Sequence, residues 1–398
     1  MNDSTFTANS NGSAASRISA SDLSGLVAFR AAVYDGSGYA DEARGIVFGL
    51  YRAGVRVHLE PFGLQSDAQN LLSAEEREIL EMLRHQSIDM GRGVYFQHCP
   101  AHDFNVFMRC RHLVGRTMYE TDSIPDGWRD YCEAMDEVWV PSTFNCETFA
   151  SGGVSRERLH ALPGGIDTDL FHPDAEPFAI PQRRGFNFLS VFEWIDRKGA
   201  DILLQAYLTE FKAGEDVTLI LKTYGRPEAH ADMLPRLAYM IERQLGLRLE
   251  STPPVVLLTP DFLSAAEIPR LYASADAFVL PTRGEGWGRP FMEALACGLP
   301  VIATRWSGHL DFLREEICYF ADCELRPVPW NNDVELSAGH HWAEVSVERL
   351  RKLMRHAFEN REEAWEKGRR GRAEMVDGWQ WDSVIQKYWI PQLQRLLS

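Results

Sequence analysis

A chain of 398 residues exceeds what one compact hydrophobic core usually supports, and its 45% hydrophobic and 25% charged residues are those of a folded globular protein, so two domains are expected. The net charge of −16, spread along the chain, repels polyanions and argues against nucleic acid as a partner. Seven cysteines, at 99, 110, 132, 146, 297, 318 and 323, are odd in number and include no Cys-x-x-Cys pair, which argues against a disulfide framework and a zinc site.

Residues 1–21 are rich in Ser, Asn and Ala, without a basic start or an apolar run, and read as a disordered tail rather than a signal peptide. No segment approaches the ~20 apolar residues of a membrane span. A cytoplasmic protein is expected, with at most peripheral contact to the inner face of a membrane.

An apolar run from Leu26 to Val33 predicts a strand; Tyr39, Ala43, Ile46, Val47 and Leu50 follow at helical spacing, and Gly54 ends the helix before a second strand, Val55 to Leu59. Runs at Gly93 to Gln97, Gly115 to Tyr119 and Glu137 to Val140 predict further strands of one parallel sheet. Proline density around His172 to Pro181 marks a connector. A second series of strands is then predicted at Phe186 to Phe192, Val217 to Lys222, Val255 to Leu258, Ala277 to Leu280 and Pro300 to Ala303, with helices such as Lys198 to Phe211 between them. Beyond Glu344 the pattern is helical to the end. The fold class is α/β, with a first domain over 22–176, a second over 177–376, and a last helix, about 377–398, returning to the first. Two such sheets leave a cleft at the carboxyl ends of their strands.

The strongest motif runs from Val279 to Arg305. A buried strand ends at Leu280, a loop holds Gly284, Gly286 and Gly288, Pro290 stands at a helix start, and Gly298 closes that helix. Glycines admit a ligand close to the backbone, and the helix start offers free N–H groups to a phosphate. Glu285-Gly-Trp-Gly-Arg-Pro-Phe-Met-Glu293, two glutamates at this spacing in this context, resembles the signature of glycosyltransferase family 4 and its GT-B relatives. The resemblance implies a GT-B fold of two Rossmann-like domains and retaining transfer from a nucleotide sugar without a metal. Glu285 would face the donor sugar, Glu293 the ribose, and Gly286, Trp287 and Gly288 the sugar and phosphates.

Arg197 and Lys198 follow a predicted strand and open a helix, where cations oppose the macrodipole unless an anion binds. The segment resembles the family's Lys-Gly turn, which implies a diphosphate-neutralising role for Lys198. Arg197 either shares that role or lies on the surface, since the family's Arg usually stands earlier, where this chain has Glu193 and Trp194. Gly36 and Gly38 resemble the family's N-terminal glycine loop facing the donor, or form an ordinary turn; Asp41 stands where a dinucleotide fingerprint would need a third glycine. Glu120 occupies the strand end where many family members carry a His, and is either a catalytic residue or a structural carboxylate. His98 and His102 are alternatives, and with Cys99 also invite a metal reading that lacks further ligands.

The expected function is therefore a retaining glycosyltransferase that needs no cofactor beyond its donor, a UDP- or GDP-sugar, and acts on a hydroxyl of a glycan, a lipid-linked or a small-molecule acceptor. The rival is a catalytically silent GT-B protein that binds sugar nucleotides or serves as a scaffold.

Overall fold

The computed structural model describes residues 27–63, 71–224, 251–258, 263–329 and 339–398, with a few positions between 235 and 248. The tail expected over 1–21 lies outside them. Two six-stranded, all-parallel sheets make an α/β structure of GT-B type.

The first sheet comprises β1 (Val27–Ala31), β2 (Val57–Pro61), β3 (Val94–His98), β4 (His112–Arg116), β5 (Glu137–Val140) and β6 (Leu159–Ala161), in the spatial order β2-β1-β3-β4-β5-β6. Its helices include α1 (Gly38–Arg52), α2 (Ala74–Arg84), α3 (Trp128–Glu133) and α4 (Thr143–Ser151). The second sheet comprises β7 (Phe186–Glu193), β8 (Val217–Tyr224), β9 (Val255–Leu258), β10 (Ala277–Leu280), β11 (Val301–Thr304) and β12 (Cys318–Ala321), in the order β12-β11-β10-β7-β8-β9. Its helices include α5 (Ala200–Glu210), α6 (Glu267–Tyr272) and α7 (Arg289–Ala296). Strand order reverses between β1 and β3 in one sheet and between β7 and β10 in the other, and at such points loops diverge and leave a crevice.

The expected strand at Gly115 to Tyr119 is corrected to His112–Arg116. Only the Thr117 amide still reaches β5, at Trp139 O, after which the chain leaves the sheet for the cleft. The helix expected from Lys198 begins instead at Ala200: Asp196–Lys198 form a 3-10 turn, and Gly199 at φ 71° separates the two. An antiparallel hairpin, β13 (Cys323–Pro327) with β14 (His341–Val345), precedes the helical C-terminal part and has no counterpart in the expected elements.

Then follow α8 (Val347–Glu359), α9 (Arg361–Gly378), α10 (Trp381–Val384), a π-helical turn over Ile385–Trp389, and α11 (Ile390–Leu397). From this stretch Trp381, Ile385, Trp389 and Leu393 pack into the core of the first sheet. Gly45 and Gly49, one turn apart on α1, make room for them: a Cβ at Gly45 would strike the Trp381 ring, and one at Gly49 would lie 2.6 Å from Ile385 Cγ1. The second sheet has its own core, into which α8 and α9 pack through Leu350, Met354 and Met375. Among the described residues no helix is long and apolar enough to cross a membrane.

Candidate active site

The loops that leave the two switch points meet across a cavity of about 440 Å³. After β1 comes Gly36 to Gly38, which opens α1 with Ser37 as N-cap; after β4 comes Glu120; after β7 come Arg197 and Lys198; after β10 come Glu285 to Gly288; and Glu293 lies on α7. Gly36, Gly38, Glu120, Arg197, Lys198, Glu285, Gly286, Trp287, Gly288 and Glu293 all line this one cavity, whereas the alternatives His98 and His102 do not.

The loop after β10 is shaped by close backbone approach. A Cβ on Gly284 would collide with the Glu120 carbonyl, and one on Gly286 would meet Met118 Cβ at 2.8 Å. Gly288 has φ 92° and caps α7, placing Pro290 in its first turn. Ser142 Oγ donates to Gly286 O at 2.8 Å, Ser307 Oγ accepts from the Glu285 amide at 3.0 Å, and the Gly308 amide donates to Glu285 O at 2.9 Å. The Glu285 backbone is thus fixed before any ligand arrives.

Lys198 Nζ donates to Glu285 Oε1 at 2.6 Å, and Arg197 lies 3.4 Å from Glu120 and 3.8 Å from Glu285 while donating to Gly284 O at 2.6 Å. Two cations and two carboxylates, one of each pair nearly buried, thus form a neutral cluster at the cavity wall. Burial opposes the charge on Glu285, but Lys198 and Arg197 outweigh it and hold the carboxyl below its usual range. Lys198 is shifted down as well: burial dominates, and the like charge of Arg197 offsets part of what Glu285 returns. The charge of Glu285 is therefore well supported, and Lys198 is already paired with it at the cavity wall.

Glu293 accepts from Tyr272 Oη at 2.7 Å, and burial pushes its carboxyl pKa up. Arg289 beside it bridges the cleft to Asp41 on α1. Sequence reasoning missed this clasp, because it weighs Asp41 only against the third glycine of a dinucleotide fingerprint, and nothing local ties it to Arg289, 248 residues on. It also missed the buried group beneath α1. There Glu42 accepts from Arg116 Nη2 at 2.7 Å and pairs with His98 Nε2 at 2.8 Å. Burial holds the His98 pKa below its ordinary value against the pull of Glu42, and the bond to the carboxylate assigns a proton to Nε2. His98 thus supports the glycine loop of α1 instead of lining the cavity, and His102 is half exposed near Asp103. No three metal-ligating side chains converge among the described residues, so the metal reading of the His-Cys-His stretch finds no geometry there.

Residues 183–323 match the family described as Glycosyl transferases group 1. A GDP-mannose-dependent alpha-(1-6)-phosphatidylinositol monomannoside mannosyltransferase of Mycolicibacterium smegmatis is 33% identical over 185 residues, 44% of this chain and 45% of that protein. Its counterpart in Mycobacterium tuberculosis is 27% identical over 267 residues, covering 64% and 61%. Mannosylfructose-phosphate synthase of Agrobacterium fabrum is 29% identical over 163 residues, covering 39% and 34%. The chain thus spans about half the length of the curated relatives it matches. Among solved structures, sucrose-phosphate synthase from Thermosynechococcus elongatus superimposes with a TM-score of 0.63 at 16% identity, over 94% of this chain and 98% of that one. HepE of Anabaena, in complex with UDP and glucose, gives 0.62 at 16% identity over 91% and 97%. These likenesses establish the GT-B architecture.

Proposed function

We propose that this chain, whose residues 183–323 match the family of group 1 glycosyl transferases, moves a glycosyl group from a nucleotide sugar to an acceptor hydroxyl with retention and without a metal. The observation that carries the reading is the cluster of Arg197, Lys198, Glu285 and Glu120 at one wall of the cavity, with the α7 N-terminus and Glu293 on the same cavity.

As the bond between the anomeric carbon and the diphosphate oxygen breaks, negative charge grows on the diphosphate. Lys198, Arg197 and the amides at the start of α7 are preorganised to stabilise it, the task a metal performs elsewhere. Glu293 takes the ribose hydroxyls and Glu285 the hydroxyls of the donor sugar. The acceptor oxygen attacks from the face the diphosphate leaves, and its proton passes to a diphosphate oxygen, which needs no covalent nucleophile. Glu120, held by Arg197 across the cleft, stabilises positive charge at the anomeric carbon. Relatives named as GDP-mannose-dependent point to GDP-mannose and two structural neighbours to UDP, so a GDP- or UDP-sugar is the donor. The acceptor is a glycan, a lipid-linked or a small-molecule hydroxyl, with contact to a membrane surface in the lipid-linked case.

A second reading, a silent nucleotide-sugar-binding protein, draws on the contact between Glu285 and Lys198, which places a carboxylate against the cation meant for the diphosphate. Thermal stabilisation by UDP-, GDP-, TDP- and ADP-sugars, with and without EDTA, on the wild type and Glu293→Ala tests both. A shift with one nucleotide that resists EDTA, vanishes in the variant and is accompanied by sugar release supports the transferase. A shift without turnover across many acceptors favours the silent protein, and no shift at all removes both.

A further inference from the structure

The segment that carries Glu120 is gripped from two sides. From its own half of the molecule α4 holds its carbonyls: Asn145 Nδ2 donates to Tyr119 O at 2.5 Å, Thr148 Oγ1 to Thr121 O at 3.1 Å, and Ser151 Oγ to Asp122 O at 2.7 Å. Their spacing of three residues puts these donors along one stripe of the helix. From the other half β14 reaches across. Asp122 Oδ1 accepts from the His341 amide at 2.7 Å, the Asp122 amide donates to His341 O at 3.1 Å, and Asp122 Oδ2 lies 3.0 Å from His341 Nδ1. Next to it His340 Nδ1 meets Thr121 Oγ1 at 2.7 Å.

The opposite end of β14 is tied to the loop of Glu285. Arg283, two residues before Glu285, accepts from the Ala343 amide through its carbonyl at 2.9 Å, and its guanidinium pairs with Glu344 at 2.6 Å. The Arg283 amide in turn donates to Arg197 O at 2.7 Å. One short strand thus touches the neighbours of Glu120 at one end, and those of Glu285 and Arg197 at the other.

We infer that β14 is a positioning strap for the transfer reaction: Asp122 and His341 on one side, and Arg283 and Glu344 on the other, fix the distance of Glu120 from Arg197 and Glu285 across the cleft. This rests on the transferase reading, in which those three groups act on the donor. None of the four strap residues lines the cavity, so each acts through others. The Asp122–His341 pair, the charged contact of the strap that crosses the cleft, is partly exposed on both sides and contributes little stability alone, so its function is registration rather than holding the halves together. A misplacement near 1 Å at a reacting group costs on the order of a hundredfold in rate.

The test cuts the strap at the end remote from Glu120. In Glu344→Ala, hydrogen exchange of the peptide over residues 117–124, which Glu344 does not touch, is expected to rise about tenfold. Thermal stabilisation by UDP and GDP should be retained. Turnover of the sugar nucleotide that stabilises the wild type should show kcat down about 10–100-fold, with donor KM within about threefold. Asp122→Asn, which keeps an oxygen for the His341 amide, should recover part of the kcat that Asp122→Ala loses. If Glu344→Ala does not fold, Glu344→Gln, which keeps the shape and removes the charge facing Arg283, gives the same remote readout. Unchanged exchange at 117–124 in a folded variant would mean that α4 alone holds the segment and would overturn the inference, as would a rise in KM at constant kcat. Failure of every nucleotide to stabilise the wild type would strike the transferase reading instead, and the exchange result would still report on the strap.

Discussion

The Lys198 ammonium lies 2.6 Å from a Glu285 carboxylate oxygen, with both side chains about nine-tenths buried. A donor diphosphate seeking Lys198 must therefore displace, or share the cation with, a carboxylate that already satisfies it. Glu285→Gln removes the competing charge while keeping the shape. UDP and GDP should then bind about 3–10-fold more tightly by calorimetry, while sugar transfer falls. Weaker nucleotide binding in this variant would show that Glu285 organises the cation rather than competing for it. Lys198→Ala should do the opposite: it leaves a buried carboxylate facing only Arg197 at 3.8 Å. A loss of about 3 kcal/mol in unfolding by urea is expected, together with loss of stabilisation by either nucleotide.

Glu293 sits in the cavity with its carboxyl pKa raised by burial. The sign follows from linkage: a group whose folded pKa is raised contributes stability below its unfolded pKa and loses it as pH rises through the folded value. Glu293→Gln, neutral and isosteric, should therefore raise the melting temperature of the unliganded chain more at pH 8 than at pH 5, while nucleotide stabilisation disappears. A gain that is the same at both pH values would show that the carboxylate is not the strained group.

Gly284 lies where the loop of Glu285 passes the backbone of Glu120. In Gly284→Ala the new methyl group meets the Glu120 carbonyl, and the two loops must separate. About 10–100-fold is expected to be lost from kcat, with a smaller effect on nucleotide binding, because Lys198, the start of α7 and Glu293, the groups proposed for the diphosphate and the ribose, all lie on the second sheet and do not depend on the spacing to Glu120. Steady-state kinetics beside UDP titration separates the two effects.

Legibility in the sequence followed locality. The limits of α7 are written by Gly288, Pro290 and Gly298, each with a backbone reason to stand there, and Glu293 lies on the same helix. Lys198 is marked by its conflict with a helix dipole, although Gly199 moves the helix start beyond it. The bonds between the halves carry no such mark. Arg289 and Asp41 are 248 residues apart, and Asp122 and His341 are 219 apart. The hairpin holding His341 is mostly exposed on its first strand, so alternation there is weak, and the strand at Cys323–Pro327 escapes detection. The early end of β4 is hidden for the opposite reason: Thr117 and Tyr119 are buried like strand residues, but by the loops of the cleft.

Beneath the glycine loop, Glu42 joins α1 to the end of β4 through Arg116, whose side chain is fully buried. Burial works against the Glu42 charge, but Arg116 and the His98 hydrogen bond more than offset it, leaving the carboxyl far below its ordinary range. Because the folded pKa is depressed, this stabilisation is full above the unfolded carboxyl pKa and is lost progressively as pH falls from there through the folded value. Glu42→Ala strands a buried guanidinium and should cost about 3–5 kcal/mol by urea unfolding at pH 7, with a smaller penalty near pH 3, where this carboxyl is already protonated in the unfolded chain. Glu42→Gln retains acceptors for Arg116 and should lose less. In both variants stabilisation by UDP and GDP should weaken, since the Gly36 to Gly38 turn that opens α1 is set by the helix that Glu42 anchors. Unaltered nucleotide stabilisation in a destabilised Glu42→Ala chain would separate the glycine loop from the donor site and confine this buried group to a structural role.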